Sequence, residues 1–320
     1  MSNETQQSRP RPSSEPVHSF EGRSDAVSPT IGADRTGSVR TLVDYHVHTA
    51  FSPDAQTPLD TCCREGLRRG LSEIGFCDHV SAQDRRSSSF MSRLVDHRQE
   101  LQRCRSTYPS LTIRFGLEVD YVPSEADCIR DWLEALETEL HDKLDFVVGA
   151  VHEVRGRSLI FRDSVRTLLA ELGDDRLVHE YFDVECSAAA SGLFHVIAHP
   201  DLVAKFSQDL FSYDESEGEH AALDLLRTLS ENRVALEVNT KGMIHPVARI
   251  HPSWRLVRAY LRLAHNEHRT PLLTVGSDAH DRNRIAAAIP ETLEALRQIG
   301  AAEITGFQRG VPRSIYFCPL

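Results

Sequence analysis

The chain has 320 residues, enough to bury a sizeable core, and its 40% hydrophobic and 26% charged residues are ordinary globular composition. A formal net charge of -11 excludes a general nucleic-acid or membrane-surface binder, since a polyanion would be repelled at long range. Seven cysteines, odd in number and without a C-x-x-C pair, argue against a disulfide framework and for a reducing compartment, the cytoplasm.

Residues 1–40 are rich in Ser, Pro, Arg and acidic side chains and lack an apolar signal-peptide core, so a disordered N-terminal tail is expected there. From Thr41 onward the composition is globular, and one structured domain is expected over 41–320. Short β-rich runs then alternate with stretches of i, i+3, i+4 apolar spacing. The order is strand Thr41–His46, helix Leu59–Arg69, strand Leu71–Cys77, helix Met91–Cys104, strand Leu111–Val119 and helix Ser124–His141. It continues with strand Phe146–Val151, helix Asp174–Ala190, strand His195–Ala198, helix Glu219–Asn232, strand Val234–Val238, helix Ser253–His265 and strand Leu272–Val275. No apolar run approaches the roughly 20 residues of a membrane span. Strands separated by helices imply a parallel sheet, either closed into a barrel or open and doubly wound.

The informative feature is where the ionisable residues fall. His46 and His48 close the first strand, Asp78-His79 the second, Glu118 the third and His152 the fourth. His199 ends the fifth, and Asp278 and His280 the last. In a parallel barrel the strand C-termini share one rim, so these residues would converge although scattered along the chain. His46 and His48, and likewise Asp278 and His280, are two apart and would share a strand face. Imidazoles and carboxylates converging in one cleft suit Zn, Fe or Mn.

These segments resemble the PHP (polymerase and histidinol phosphatase) superfamily, and within it the monofunctional histidinol-phosphatase group. The resemblance is carried by Asp44-Tyr45-His46-Val47-His48-Thr49, Phe51-Ser52-Pro53-Asp54, Gly116-Leu117-Glu118-Val119-Asp120-Tyr121, His199-Pro200-Asp201 and Gly276-Ser277-Asp278-Ala279-His280. It implies a distorted (β/α)7 barrel, a TIM-like α/β fold, that binds up to three divalent transition-metal ions. By motif the ligands would be His46, His48, Asp54, His79, Glu118, His152, His199, Asp278 and His280, with Glu118, Asp278 and His280 also catalytic. Asp54 stands where many superfamily members have His, and Glu153–Ser158 departs from the group's usual loop.

The expected reaction is metal-dependent hydrolysis of histidinol phosphate, by direct in-line attack of metal-bound hydroxide, with Glu118 bridging two ions. Arg155, Arg157, Lys205, Asn239 and Lys241 lie on the rim and are the candidates for contacting the substrate. Asp78 and Asp201 either orient ligand imidazoles or cap helices, and His195, deeper in the barrel, reads as a satisfied core histidine. His245, His251, His265 and His268 sit in no motif and read as surface or structural. The same ligands would serve a nucleotide or phosphotyrosine phosphatase, and a non-catalytic PHP module is the alternative of another class, disfavoured by the intact ligand set. No motif specifies an oligomeric state.

Overall fold

Seven runs of β-branched and large apolar residues pair edge to edge into one parallel sheet. The computed structural model describes residues 41–317 except 208, 212, 214 and 245–248. Its strands are β1 (Leu42–Val47), β2 (Leu71–Val80), β3 (Thr112–Asp120), β4 (Phe146–Ala150), β5 (Val196–Ile197), β6 (Ala235–Asn239) and β7 (Leu273–Gly276). Neighbours in sequence are neighbours in the sheet, and every pair is parallel. The C-terminal end of β1 then meets the segment that follows β7. Val47 bridges Ala279, and the His48 N–H donates to the Ala279 carbonyl at 2.9 Å. The sheet is therefore a nearly closed barrel and not an open, doubly wound one. The disorder expected over 1–40, and the expectation for His245, lie outside the described residues.

The helices are α1 (Leu59–Arg68), α2 (Ser88–Thr107), α3 (Ala126–Leu140), α4 (Arg162–Leu172), α5 (Asp174–Ala190), α6 (Glu215–Asn232), α7 (Trp254–Asn266) and α8 (Ile289–Gln298). In α1 the buried residues are Leu59, Cys62, Cys63 and Gly66, an i, i+3, i+4, i+7 stripe. Glu65 and Arg69 pair at i, i+4 beside it. Each large apolar side chain so buried contributes about 1.5–3 kcal/mol.

Two strands run further than their apolar stretches suggest. The β2–β3 pairing holds register from Glu73 opposite Thr112 to Val80 opposite Val119. Asp78, His79 and Glu118 are consequently inside the sheet, not at its ends. The helices α4 and α8 and a C-terminal hairpin, β8 (Glu303–Gln308) with β9 (Val311–Tyr316), add to the expected elements. The hairpin turns through Arg309 and Gly310, at φ of 52° and 78°. That is a tight turn of the kind that Asn-Gly or Asp-Gly usually announces, and Pro312 further disguises the strand after it.

The hairpin docks on the N-terminal mouth of the barrel. Arg309 N–H donates to Asp145 Oδ1 at 3.1 Å, and Phe307 N–H to Tyr45 Oη at 3.0 Å. Phe146 fills the interior above it, edge-on to Tyr45 at 5.4 Å and stacked on Phe307 at 6.1 Å. Gly116 makes this possible, because a Cβ there would lie 2.6 Å from Phe146 Cζ. With that mouth covered, the C-terminal rim is left for chemistry.

Candidate metal centre

The register of β1 slips between Asp44 and Val47. The slip lets consecutive side chains, Tyr45 and His46, both meet residues of the barrel interior. His46 is fully buried, with Nδ1 2.6 Å from Glu237 Oε1 on β6. A carboxylate can only accept, so Nδ1 carries a proton and Nε2 is the ring nitrogen turned toward the site. That nitrogen lies 3.1 Å from His48 Nε2 and 3.4 Å from Glu118 Oε2. Gly276 leaves the space, since a Cβ there would be 2.3 Å from His46 Cβ and 2.5 Å from Glu237 Oε1.

The same logic fixes the neighbours. Ser52 Oγ donates to Asp78 Oδ1 at 2.7 Å, so at 3.3 Å it can only accept from His48 Nδ1. His48 Nε2 is then bare, and burial together with the adjacent His79 pushes its pKa down to about 3, keeping the ring neutral. His152 Nδ1 donates to Asp120 Oδ1 at 2.8 Å, which leaves His152 Nε2 bare, 3.7 Å from Glu118 Oε1. His199 Nε2 lies 3.2 Å from that same oxygen.

Glu118 is the common member. Burial pushes its carboxyl up, but His79 and His46 outweigh this and hold it well below the usual carboxylate range. Its buried Oε2 lies 2.8 Å from His79 Nδ1, 3.4 Å from His46 Nε2 and 3.5 Å from His48 Nε2. His46, His48 and Glu118 form one group whose ligand atoms lie within 4.8 Å of one another. His48, His79 and His280 form a second, and Glu118, His152 and His199 a third. The lone pairs that His48 and His152 turn toward this buried carboxylate repel it unless a cation lies between them. The residues present therefore fit divalent metal ions, with the mixed nitrogen and oxygen donors of borderline metals.

Asp278 and His280 reach this site differently from the expected strand alternation. Both lie beyond the end of β7, and Asp278 has φ 51°. Asp278 Oδ1 is 3.4 Å from His48 Nε2, and His280 Nδ1 is 3.3 Å from Asp278 Oδ1. His199, at φ 32°, is also in the left-handed region. Such backbone costs roughly 1–3 kcal/mol per residue and clusters where a site demands it. Asp54 is half exposed at the outer edge, 3.1 Å from His280 Nε2 and 3.6 Å from His79 Nε2. All nine residues that the strand-end pattern and the resemblance single out thus gather at one rim.

The five candidate substrate contacts divide. Lys241 Nζ donates to Asp278 Oδ1 at 2.8 Å, and Asn239 Nδ2 to Glu237 Oε2 at 3.1 Å and Asp278 Oδ2 at 3.3 Å. Lys205 Nζ donates to the Ile160 carbonyl at 3.3 Å, and burial and then Lys241 push its pKa down. Arg155 instead forks onto Glu180 of α5 at 2.6 and 2.7 Å, and Arg157 pairs with Glu171 of α4 at 2.8 Å. Their guanidinium groups are spent on these outer helices, because Glu153–Val154 and Arg157–Ser158 form a small ribbon of their own.

Asp78 fixes the loop after β1, accepting from Thr49 N–H and Ser52 Oγ, each at 2.7 Å, and so reaches His48 only through Ser52. Asp201 accepts from Arg249, from His251 Nδ1 at 2.5 Å and from Ser253 N–H at 3.0 Å, and makes no such bond to His199. His251 is accordingly structural. His195 accepts from Val147 N–H at 2.9 Å, a satisfied core histidine. Sequence reasoning missed Glu237 and Asp120 as the carboxylates that orient ligand imidazoles. Both carried a signal: Glu237 is an acid within an apolar strand, and Asp120 stands two residues after Glu118.

The PHP domain family model matches residues 44–241. The chain is 28% identical over 269 residues to a protein of Deinococcus radiodurans described as a probable histidinol-phosphatase, covering 82% of this chain and 96% of that one. It is also 28% identical over 274 residues to the histidinol-phosphatase of Bacillus subtilis, covering 78% and 98%. Among solved structures, the fold is similar to histidinol phosphate phosphatase of Lactococcus lactis in complex with Zn, L-histidinol and phosphate. The TM-score there is 0.67 at 19% identity, over 85% of this chain and 99% of that one.

Proposed function

The chain belongs to the PHP domain family, and from that premise we propose that it is a metal-dependent phosphoric monoester hydrolase that converts L-histidinol phosphate to L-histidinol and phosphate. The observation that carries the reading is Glu118, a buried carboxylate that nitrogens of His46, His48, His79, His152 and His199 surround at 2.8 to 3.7 Å. The names of relatives that align along nearly their whole length supply the substrate.

Three ligand groups would hold up to three divalent ions, Zn, Fe or Mn, with Glu118 and His48 each serving two of them. Ions held there would neutralise phosphoryl oxygens and promote ionisation of a water near neutral pH. The chain's own residues do the rest. Glu237 and Asp120 fix the His46 and His152 rings through their Nδ1 protons, which turns Nε2 of each toward the site and makes it a more basic ligand. Asp278 and His280 complete the rim, and Lys241, which donates to Asp278 Oδ1 at 2.8 Å, is the cation we assign to the incoming phosphate. Lys205 is the second such amine, and Asn239 holds the Glu237 and Asp278 carboxylates in place. The described cysteines are all free, which supports a reducing location, the cytoplasm. No helix among the described residues is long and apolar enough to cross a membrane.

The test is turnover of histidinol phosphate, p-nitrophenyl phosphate and nucleotides by the purified protein, with metal analysis alongside. Histidinol phosphate is expected to be the best substrate by kcat/KM, and chelation or His46→Ala to abolish turnover. Equal rates on histidinol phosphate and the generic ester would sink the substrate assignment. Full activity after chelation would sink the metal mechanism.

A further inference from the structure

A second concentration of charge lies at the other end of the barrel. A cavity of about 370 Å³ opens between the C-terminal half of α2, the start of β3, the segment before β4 and the turn of the β8–β9 hairpin. The described residues lining it carry five cationic side chains, Arg98, Arg105, Arg114, Lys143 and Arg309, against two carboxylates, Asp142 and Asp145. That is a formal +3 in a chain whose net charge is -11. It is not the metal-ligand site: Arg114 precedes Glu118 by four residues on the same strand, about 13 Å at the usual rise.

Two carboxylates cannot neutralise five cations, and both are already shared among several donors. Asp145 Oδ2 accepts from Arg105 Nη2 and from Phe115 N–H, both at 2.9 Å, while its Oδ1 takes the Arg309 N–H. Asp142 is gripped by both Arg98 and Arg309 and also accepts from the Lys143 N–H at 2.9 Å. Arg114 donates to Glu73, whose charge Arg313 already matches, and its Nη1 lies 3.8 Å from Asp145 Oδ1, which it shares with the Arg309 N–H. Lys143 Nζ makes no hydrogen bond or ion pair among the described residues. Burial, with the like charges of Arg98 and Arg114, lowers the pKa of Arg105 despite Asp145. Cations crowded at this density repel one another, and an anion in their midst relieves the repulsion.

We propose that this arginine-lined cavity at the N-terminal rim binds a small phosphate-bearing anion, at a site separate from the metal-ligand cluster. Guanidinium forks match the oxygens of a phosphate group, and the cavity has room for two linked phosphoryl groups. Lys143 and Arg309 are exposed and would close on the ligand from the solvent side.

Inorganic pyrophosphate titrated calorimetrically into the full chain tests this, in a His46→Ala background that disables the rim cluster. One binding event is expected to survive in that background. Adding Lys143→Gln and Arg309→Gln should weaken it by about tenfold or more, since each removes a charge-assisted contact. Asp142→Asn should tighten it by about threefold or more, as it frees two guanidinium groups without removing a cation. The gain reports on the site even if the double variant folds poorly. No binding in the His46→Ala protein, an affinity indifferent to these changes, or equally tight binding of succinate would overturn the proposal.

Discussion

Glu237 contributes to the site by holding His46 Nδ1 at 2.6 Å and accepting the His199 N–H at 2.8 Å. One carboxylate thereby sets both a ring orientation and the strained backbone of a second ligand candidate. Glu237→Gln keeps the shape but lets the His46 ring take either tautomer. Metal affinity measured by chelator competition is expected to fall about 10–100-fold, with the folded spectrum unchanged. An unaltered affinity would mean that the contact orients nothing.

Glu185 on α5 offers a pH prediction away from the metal centre. It is fully buried, hydrogen-bonded by Tyr181 Oη, and burial together with Asp201 pushes its pKa up to about 8. The folded state therefore keeps a proton that the unfolded chain releases near pH 4.5. Its contribution is complete below that pH and is lost as pH rises toward 8, with a slope of up to about 1.4 kcal/mol per pH unit. Urea midpoints at pH 6 and pH 8 should differ less in Glu185→Gln than in the parent protein. Parallel pH dependences would refute the assignment.

At the scale of elements, the barrel is held by pairing in register and by a few large side chains seated on glycines. Phe146 at the start of β4 occupies the space that Gly75 and Gly116 leave on β2 and β3. Truncating it removes a ring that also meets Tyr45 and Phe307, so the β8–β9 hairpin loses its platform. Phe146→Ala is expected to cost about 3–5 kcal/mol in chemical denaturation, in line with other buried aromatic truncations. The reverse change, Gly116→Ala, brings a methyl group against the same ring and should destabilise through overpacking. A neutral effect of either would show that the interior relaxes more freely than its contacts indicate.

For the whole molecule, folding assembles a cluster of buried imidazoles and carboxylates whose donor atoms converge closely enough to share metal ions. Stability should then be linked to metal. With ions at about 100 times their dissociation constant, binding adds about 2.7 kcal/mol per site. Chelation is thus expected to lower Tm by about 5–10 °C for each ion removed, and re-addition of one divalent metal to restore it. A Tm indifferent to chelator would leave the cluster without the role we assign it. The chain's acidity acts at the same scale, since only local cations can draw an anion toward either end of the barrel.

The sequence by itself determined the alternation of strands and helices, because apolar periodicity survives in each segment separately. It also marked the ligand candidates, because imidazoles and acids after apolar strands are conspicuous. Whether the sheet closes was decided by the Val47–Ala279 bridge, an interaction between residues 232 positions apart that no local pattern encodes. Tertiary structure likewise chose between cations of the same type: Lys241 faces Asp278, whereas Arg155 and Arg157 are taken by Glu180 and Glu171. It revealed Glu237 as the partner of His46, since a fully buried strand does not disclose which face an acid takes. The pairing of charges depends on what lies opposite in space, and one-dimensional spacing carries that only within a single element.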